Sequence, residues 1–87
     1  MSERTGTILA VVPHGGLMTI LVTEGGTVES LIGDSGPTGR ALIDMFGRGI
    51  LAGPLMLDTA KLKGQRISYD TDDMGLLSYI RDPEEEP

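Results

Sequence analysis

Short runs of strand-type residues separated by glycines occupy the first third of the chain. The runs cover residues 7–12, 17–23 and 27–32, and glycine pairs lie between them at 15–16 and 25–26. Branched aliphatic and threonine side chains favour strands, and glycine accepts the positive φ angles that tight hairpin turns need. The spacing therefore predicts a meander of three antiparallel strands.

Alternation within the second run predicts which side of its strand faces the core. Successive side chains of a strand point in opposite directions, so Met18, Ile20 and Val22 share one face. We expect this apolar face to be buried. The opposite face mixes aliphatic and hydroxyl residues, namely Leu17, Thr19, Leu21 and Thr23.

The hydrophobic period changes after the third run. Asp34 and Ser35 are residue types that begin helices, and Pro37 suits a first helical turn because its missing N–H would be unpaired there. Beyond them, an apolar stripe at helical spacing predicts a short helix over 38–46, ended by Gly47. The stripe consists of Ala41, Leu42, Met45 and Phe46.

The segment after this helix has a weaker pattern. Residues 50–57 are apolar but are interrupted at Gly53-Pro54, and a central strand does not readily contain that proline. We interpret 54–57 as a short strand or extended segment and 58–64 as a loop or helical turn.

The last third of the chain alternates again. Ile67 and Tyr69 share one face of a strand predicted over 65–70, and a returning strand is predicted over 76–80. Residues 71–75 form the turn between them.

The resulting order is three strands, a helix, a short extended segment and two strands. An 87-residue chain is too short for helices on both faces of a parallel sheet, and a curled antiparallel barrel leaves few strand edges exposed. We therefore predict a mainly β fold: a small five- to six-stranded antiparallel barrel with one short helix after strand three. The predicted topology is OB-like, with an SH3-like barrel as the alternative. One domain covers 1–81, and 82–87 is expected to be a disordered acidic tail.

Composition limits the chemistry. The chain has no cysteine, which excludes disulfides, zinc–thiolate sites and a cysteine nucleophile. It has one histidine, so any metal site would depend mostly on carboxylates. Its formal net charge is −6, whereas proteins that track nucleic-acid phosphates usually carry the opposite sign. No signal peptide or membrane span is apparent, so we expect a cytoplasmic protein. We also expect no cofactor.

Several strand and turn segments, mostly toward the two ends of the chain, share the sequence pattern of a known family. They are 5–8 (T-G-T-I), 14–20 (H-G-G-L-M-T-I), 24–26 (E-G-G), 62–70 (L-K-G-Q-R-I-S-Y-D) and 75–80 (G-L-L-S-Y-I). This series of strands and turns resembles cold-shock OB-fold domains, and the resemblance implies the OB fold. That family binds single-stranded nucleic acid by stacking bases on aromatic residues of strands two and three. Here those strands contain no Phe, Tyr or Trp, so no nucleic-acid-binding residue is carried over.

The turn that begins the predicted helix is the best candidate for a small-molecule site. Glycines, backbone N–H groups at a helix start and an arginine suit a phosphate or another anion. The structural alternative is simply a capped helix. The sequence G-D-S-G at 33–36 also occurs around serine-protease nucleophiles, but that fold needs a far longer chain. The candidate anion-binding residues are Ser35, Gly36, Thr38, Gly39 and Arg40.

Two further patterns are interpreted as structural. Asp70, Asp72 and Asp73 have the spacing of the start of a calcium loop, yet Arg81 stands where an EF-hand needs glutamate. We interpret these residues as a polar turn and predict no metal site. His14 follows Pro13 in a turn, where we expect it to face solvent without a catalytic role.

These observations favour a non-catalytic protein–protein interaction module that is able to form a homodimer. The alternatives are a single-stranded nucleic-acid-binding OB domain and a binder of phosphate or nucleotide ligands at 33–40. We expect a protein partner or a second copy, and neither nucleic acid nor a membrane. The candidate interface residues are Leu17, Leu21, Ile50, Leu51 and Leu55.

Overall fold

The computed structural model describes residues 3–53 and 56–83. Strands precede and follow a single long helix, and two short strands and a one-turn helix lie between the helix and the last two strands. In chain order the elements are β1 (Arg4–His14), β2 (Leu17–Glu24), β3 (Thr27–Asp34), α1 (Ser35–Phe46), a 3-10 turn (Arg48–Ile50), β4 (Leu51–Gly53), β5 (Met56–Leu57), α2 (Thr59–Leu62), β6 (Arg66–Thr71) and β7 (Leu77–Arg81).

Five of the strands form one antiparallel sheet in the order β3-β2-β1-β6-β7. Strands β4 and β5 pair separately as a two-stranded ribbon. The edge strands β3 and β7 approach each other through a single parallel bridge between Ile32 and Leu76, and the sheet is not closed. The predicted mainly β fold, with an antiparallel sheet and a helix after the third strand, is confirmed at this level.

One side of the sheet holds the core. Met18, Ile20 and Val22 are each at most 4% exposed, as alternation in β2 predicts. Leu42 of α1 is fully buried against the same cluster. Burying an aliphatic side chain stabilises the fold by about 1.5–3 kcal/mol, so this shared cluster holds the helix on the sheet. The other core residues are Ile8, Val11, Leu31, Ile50, Leu62, Ile67, Tyr69 and Ile80.

Strand β1 extends further than the sequence pattern predicts. It continues through Pro13, which pairs with Met18 of β2. The other neighbour of β1, strand β6, pairs only with residues Arg4 to Thr7. Pro13 therefore has a strand on one side only, a position where a residue without an N–H is tolerated.

Helix α1 begins at Ser35, in the turn where Asp34, Ser35 and Pro37 predict the helix start. Asp34 occupies the N-cap position, but its side chain makes no capping hydrogen bond. Instead, the Ser35 backbone N–H donates to the carbonyl oxygen of Gly16 at 2.9 Å, and its hydroxyl donates to the carbonyl oxygen of Leu17 at 2.9 Å. The β1–β2 turn thus anchors the start of the helix.

The predicted tail falls partly outside the described residues. Residues 84–87 lie there, as do residues 54 and 55 of the predicted extended segment. Asp82 and Pro83 are described and are partly buried.

Candidate functional site

Helix α1 separates the predicted anion-binding residues into two groups. Ser35, Gly36, Gly39 and Arg40 line a cavity of about 580 Å³. Thr38 is only 6% exposed and lines a smaller cavity of about 210 Å³ between α1 and β7. Thr38 therefore does not share a site with the other four residues.

The walls of the larger cavity come from separate parts of the chain. The β1–β2 turn contributes one wall, β2 and α1 a second, and the β4–β5 ribbon a third. Apart from Ser35, Gly36, Gly39 and Arg40, the lining residues are Pro13, Gly15, Met18, Ile43, Leu51 and Leu57. The cavity is therefore mainly apolar, and sequence analysis missed most of its wall because the residues are far apart in sequence.

Among the described residues that line this cavity, Arg40 is the one with a charged side chain. Its side chain is exposed, and it makes no ion pair within 3–53 and 56–83. The other polar side chain, Ser35, already donates its hydroxyl hydrogen to Leu17. Arg40 is thus the group best able to contact a charged ligand here.

A second candidate surface lies on the side of β1, β2 and β3 that faces away from the core. Cross-strand register places four rows of side chains on this side. Three of them carry no charge, and the fourth, at the start of β2, contains His14, Leu17 and the exposed Asp34. We call the nine residues of the three uncharged rows the outer face: Thr7, Ala10, Val12, Thr19, Leu21, Thr23, Val28, Ser30 and Ile32.

The outer face includes exposed apolar side chains. Val28 is 62% exposed and Val12 is 48% exposed. The same side of the sheet becomes charged at β6 and β7, where Arg66, Asp70 and Arg81 lie. The uncharged part therefore covers three rows of the meander, with Asp34 at one margin and Arg66, the partner of Thr7, at another.

The predicted interface residues are distributed over several environments. Leu21 lies within the outer face, and Leu17 lies at its margin and is 42% exposed. Leu51 lines the large cavity, whereas Ile50 is a core residue, only 4% exposed, with little side-chain surface to offer a partner. Leu55 lies outside the described residues.

A polar cluster connects β1, β3 and β6 beside the core. Arg4 Nη1 donates to both carboxylate oxygens of Glu29, at 2.8 and 3.0 Å, and its Nη2 donates to Thr71 Oγ1 at 3.0 Å. The Tyr69 hydroxyl donates to Glu29 Oε1 at 3.2 Å. Burial and the neighbouring Glu29 carboxylate raise the pKa of Tyr69 to about 12. Tyr69 therefore stays a neutral donor at physiological pH.

His14 lies at the exposed end of β1. Its Nε2 is 2.8 Å from Thr19 Oγ1, so its ring contacts a hydroxyl group and not a carboxylate. In a catalytic triad a carboxylate orients the histidine. This contact gives no support to a catalytic role.

The predicted polar turn is organised by one aspartate. Asp72 Oδ1 accepts hydrogen bonds from the backbone N–H groups of Met74 and Leu76, each at 2.9 Å. Within the described part of the chain, no three acidic or histidine side chains are grouped so that they could hold a metal ion.

Comparison with family models, curated proteins and solved structures finds no match for this chain. Among the described residues, no helix is long and apolar enough to cross a membrane.

Proposed function

We propose that this protein is a non-catalytic interaction module of the OB type that associates with a second copy of itself through its outer face. The strand order, the helix after β3 and the bridge between Ile32 and Leu76 support the OB assignment. OB folds are five-stranded, partly open barrels. The position of α1 favours this topology over an SH3-like barrel.

The lack of charge on the outer face carries the proposal. The chain has 13 acidic and 7 basic residues, yet the nine side chains of this face are aliphatic or hydroxylic. Removing apolar surface from water favours association, at about 25 cal/mol per Å². An uncharged face also brings two copies together without placing like charges in the contact.

A second copy fits this surface better than a partner of strong charge. Two-fold contacts use the same patch on both molecules, so the patch must be complementary to itself. An uncharged surface meets that condition electrostatically. With a two-fold axis through the meander, the charged side of β6 and β7 remains at the periphery in solvent.

The same residues give little support to single-stranded nucleic-acid binding. Base stacking on aromatic side chains is worth about 1–3 kcal/mol per base, and OB domains combine it with a basic groove. The outer face contains neither aromatic nor basic side chains. We therefore propose a protein partner here, in a cytoplasmic setting.

The test measures oligomeric state by sedimentation equilibrium, with the full chain at about 10–100 μM, a range that detects micromolar dissociation constants. We expect a mass of twice 9.2 kDa for the unmodified protein. Val28→Glu and Val28→Lys change the charge in opposite directions, and both should give monomers because each buries an ion in the contact. Met74→Glu is the matched control, since Met74 is 83% exposed but lies in the β6–β7 turn.

Retention of the dimer by Met74→Glu supports the outer face as the contact. A protein that is monomeric throughout this range overturns the proposal, as do dimers of unchanged affinity in both Val28 variants. Circular dichroism of each variant shows whether the sheet is retained.

A further inference from the structure

We infer that the 580 Å³ cavity beside α1 binds a small amphipathic anion, with an apolar body in the cavity and a single carboxylate on Arg40. This site is independent of the proposed dimer. It is formed by α1, the β1–β2 turn and the β4–β5 ribbon, and none of its lining residues belongs to the outer face.

The size and lining of the cavity indicate the chemical character of the uncharged part of the ligand, its apolar body. Small-molecule sites have volumes of about 300–1,000 Å³ and are lined mostly by apolar side chains with a few polar groups. This cavity has that volume, and Met18, Ile43, Leu51 and Leu57 make its surface aliphatic or thioether in character. The described part of the lining contains no aromatic ring for a nucleobase to stack on. A flexible aliphatic body is therefore the better fit.

Arg40 indicates the charge of the ligand. A guanidinium group binds a carboxylate through two parallel hydrogen bonds. Arg40 lines the cavity and is without an ion pair in the described part of the chain, although the protein as a whole carries an excess of acidic residues. A single cation balances one negative charge, which favours a monocarboxylate over the phosphate or nucleotide ligand considered from the sequence.

Two glycines keep the α1 wall of the cavity open. A Cβ atom added at Gly36 would have no neighbour within 4 Å, and one added at Gly39 would meet only Met18 Cε, at 3.9 Å. Glycine in a helix costs about 1 kcal/mol relative to alanine, and neither position needs glycine for packing. The absence of side chains at both positions leaves space for a ligand.

The test uses decanoate as the probe and isothermal titration calorimetry of the full chain as the measurement. We expect saturable binding of one decanoate per chain, and weaker binding of decanol, which has the same body without the charge. Arg40→Gln should weaken decanoate binding by about tenfold, the factor for a loss of about 1.4 kcal/mol, and should leave decanol binding unchanged. Arg48→Gln is the matched control, because Arg48 is an exposed arginine that does not line the cavity.

A second variant tests the location without changing charge. Gly39→Leu fills the cavity from α1 and should abolish binding of both decanoate and decanol, while thermal unfolding shows that the fold is retained. Binding that survives Gly39→Leu, or that weakens equally in Arg40→Gln and Arg48→Gln, overturns the inference. Absence of saturable decanoate binding, or displacement of decanoate by inorganic phosphate, also overturns it. Sedimentation of Val28→Glu reports the dimer separately, so the two proposals fail independently.

Discussion

Arg4 stacks on Tyr69: the guanidinium carbon of Arg4 lies 5.1 Å from the centre of the Tyr69 ring. The same guanidinium binds the Glu29 carboxylate, and the Tyr69 hydroxyl donates to that carboxylate as well. Glu29 belongs to the edge strand β3 and Tyr69 to β6, and these strands are not neighbours in the sheet. The cluster therefore links β3 to β6, two strands that do not pair directly in the sheet.

Tyr69→Phe should destabilise the protein by about 1 kcal/mol, because it removes the hydrogen bond to Glu29 and keeps the buried ring. Urea denaturation followed by circular dichroism measures the change. Tyr79→Phe is the control, since Tyr79 is 43% exposed and its hydroxyl bonds to Glu3 in a more solvated setting. A larger loss in Tyr79→Phe than in Tyr69→Phe would contradict the importance of the cluster.

Alkaline pH should weaken the fold through the same residue. The folded-state pKa of Tyr69 is raised to about 12, above the value of about 10 for an unfolded chain. The contribution of the neutral hydroxyl to stability is therefore complete below about pH 10 and is lost as the pH rises through about 12. Between these pH values, the free energy of unfolding measured by urea denaturation should fall more steeply for the unmodified protein than for Tyr69→Phe. Equal slopes would show that the pKa of Tyr69 does not differ between the folded and unfolded states.

Gly33 of β3 lies close to both α1 and β7. A Cβ atom there would lie 2.7 Å from Thr38 Oγ1 and 3.2 Å from Leu77 Cβ. Since Thr38 is buried and has little room to move, Gly33→Ala should destabilise the protein by about 1–3 kcal/mol, as overpacking of a core does. Thermal or urea unfolding measures this loss.

Two variants check that cause. Gly33→Ala combined with Thr38→Ala should recover part of the lost stability, because it removes the nearest contact. Gly16→Ala should have a small effect, since a Cβ atom at Gly16 has no neighbour within 4 Å. If the double variant is less stable than Gly33→Ala, steric crowding against Thr38 is not the cause.

The strands and their buried faces could be predicted from the sequence because the alternation of apolar and polar residues along a strand indicates which side chains are buried. Met18, Ile20 and Val22 are buried as predicted, and α1 follows β3. The ribbon and α2 were harder to predict because elements of two to four residues depend on tertiary hydrogen bonds. One example is the bond from the Asp58 N–H to the carbonyl oxygen of Ile50. The start of α2 nevertheless has a local signal. Asp58 is a residue type that begins helices, and its side chain accepts a hydrogen bond from the Ala60 N–H.

The two candidate sites were predictable only in part. Helix-start residues indicated four members of the large cavity, but the opposite wall, with Leu51 and Leu57, depends on how the ribbon packs. Alternation placed Leu21 on an outward face, yet the extent of the outer face depends on register. Pairing brings Val28 beside Thr23 and Ile32 beside Thr19. Register and packing are long-range properties that no single run of residues reveals.

Gly39→Ala should stabilise the protein by about 0.5–1 kcal/mol. Gly39 lies inside α1 in a conformation that any residue adopts, and its Cβ atom would make an ordinary contact with Met18 Cε at 3.9 Å. Alanine reduces the conformational entropy of the unfolded chain and favours the helix. Gly47→Ala is the contrasting control, because Gly47 has a φ of +83° at the end of α1 and should lose stability on substitution. Thermal unfolding of both variants should therefore shift in opposite directions, and a fall in the unfolding temperature of Gly39→Ala would show that the helix needs glycine at this position.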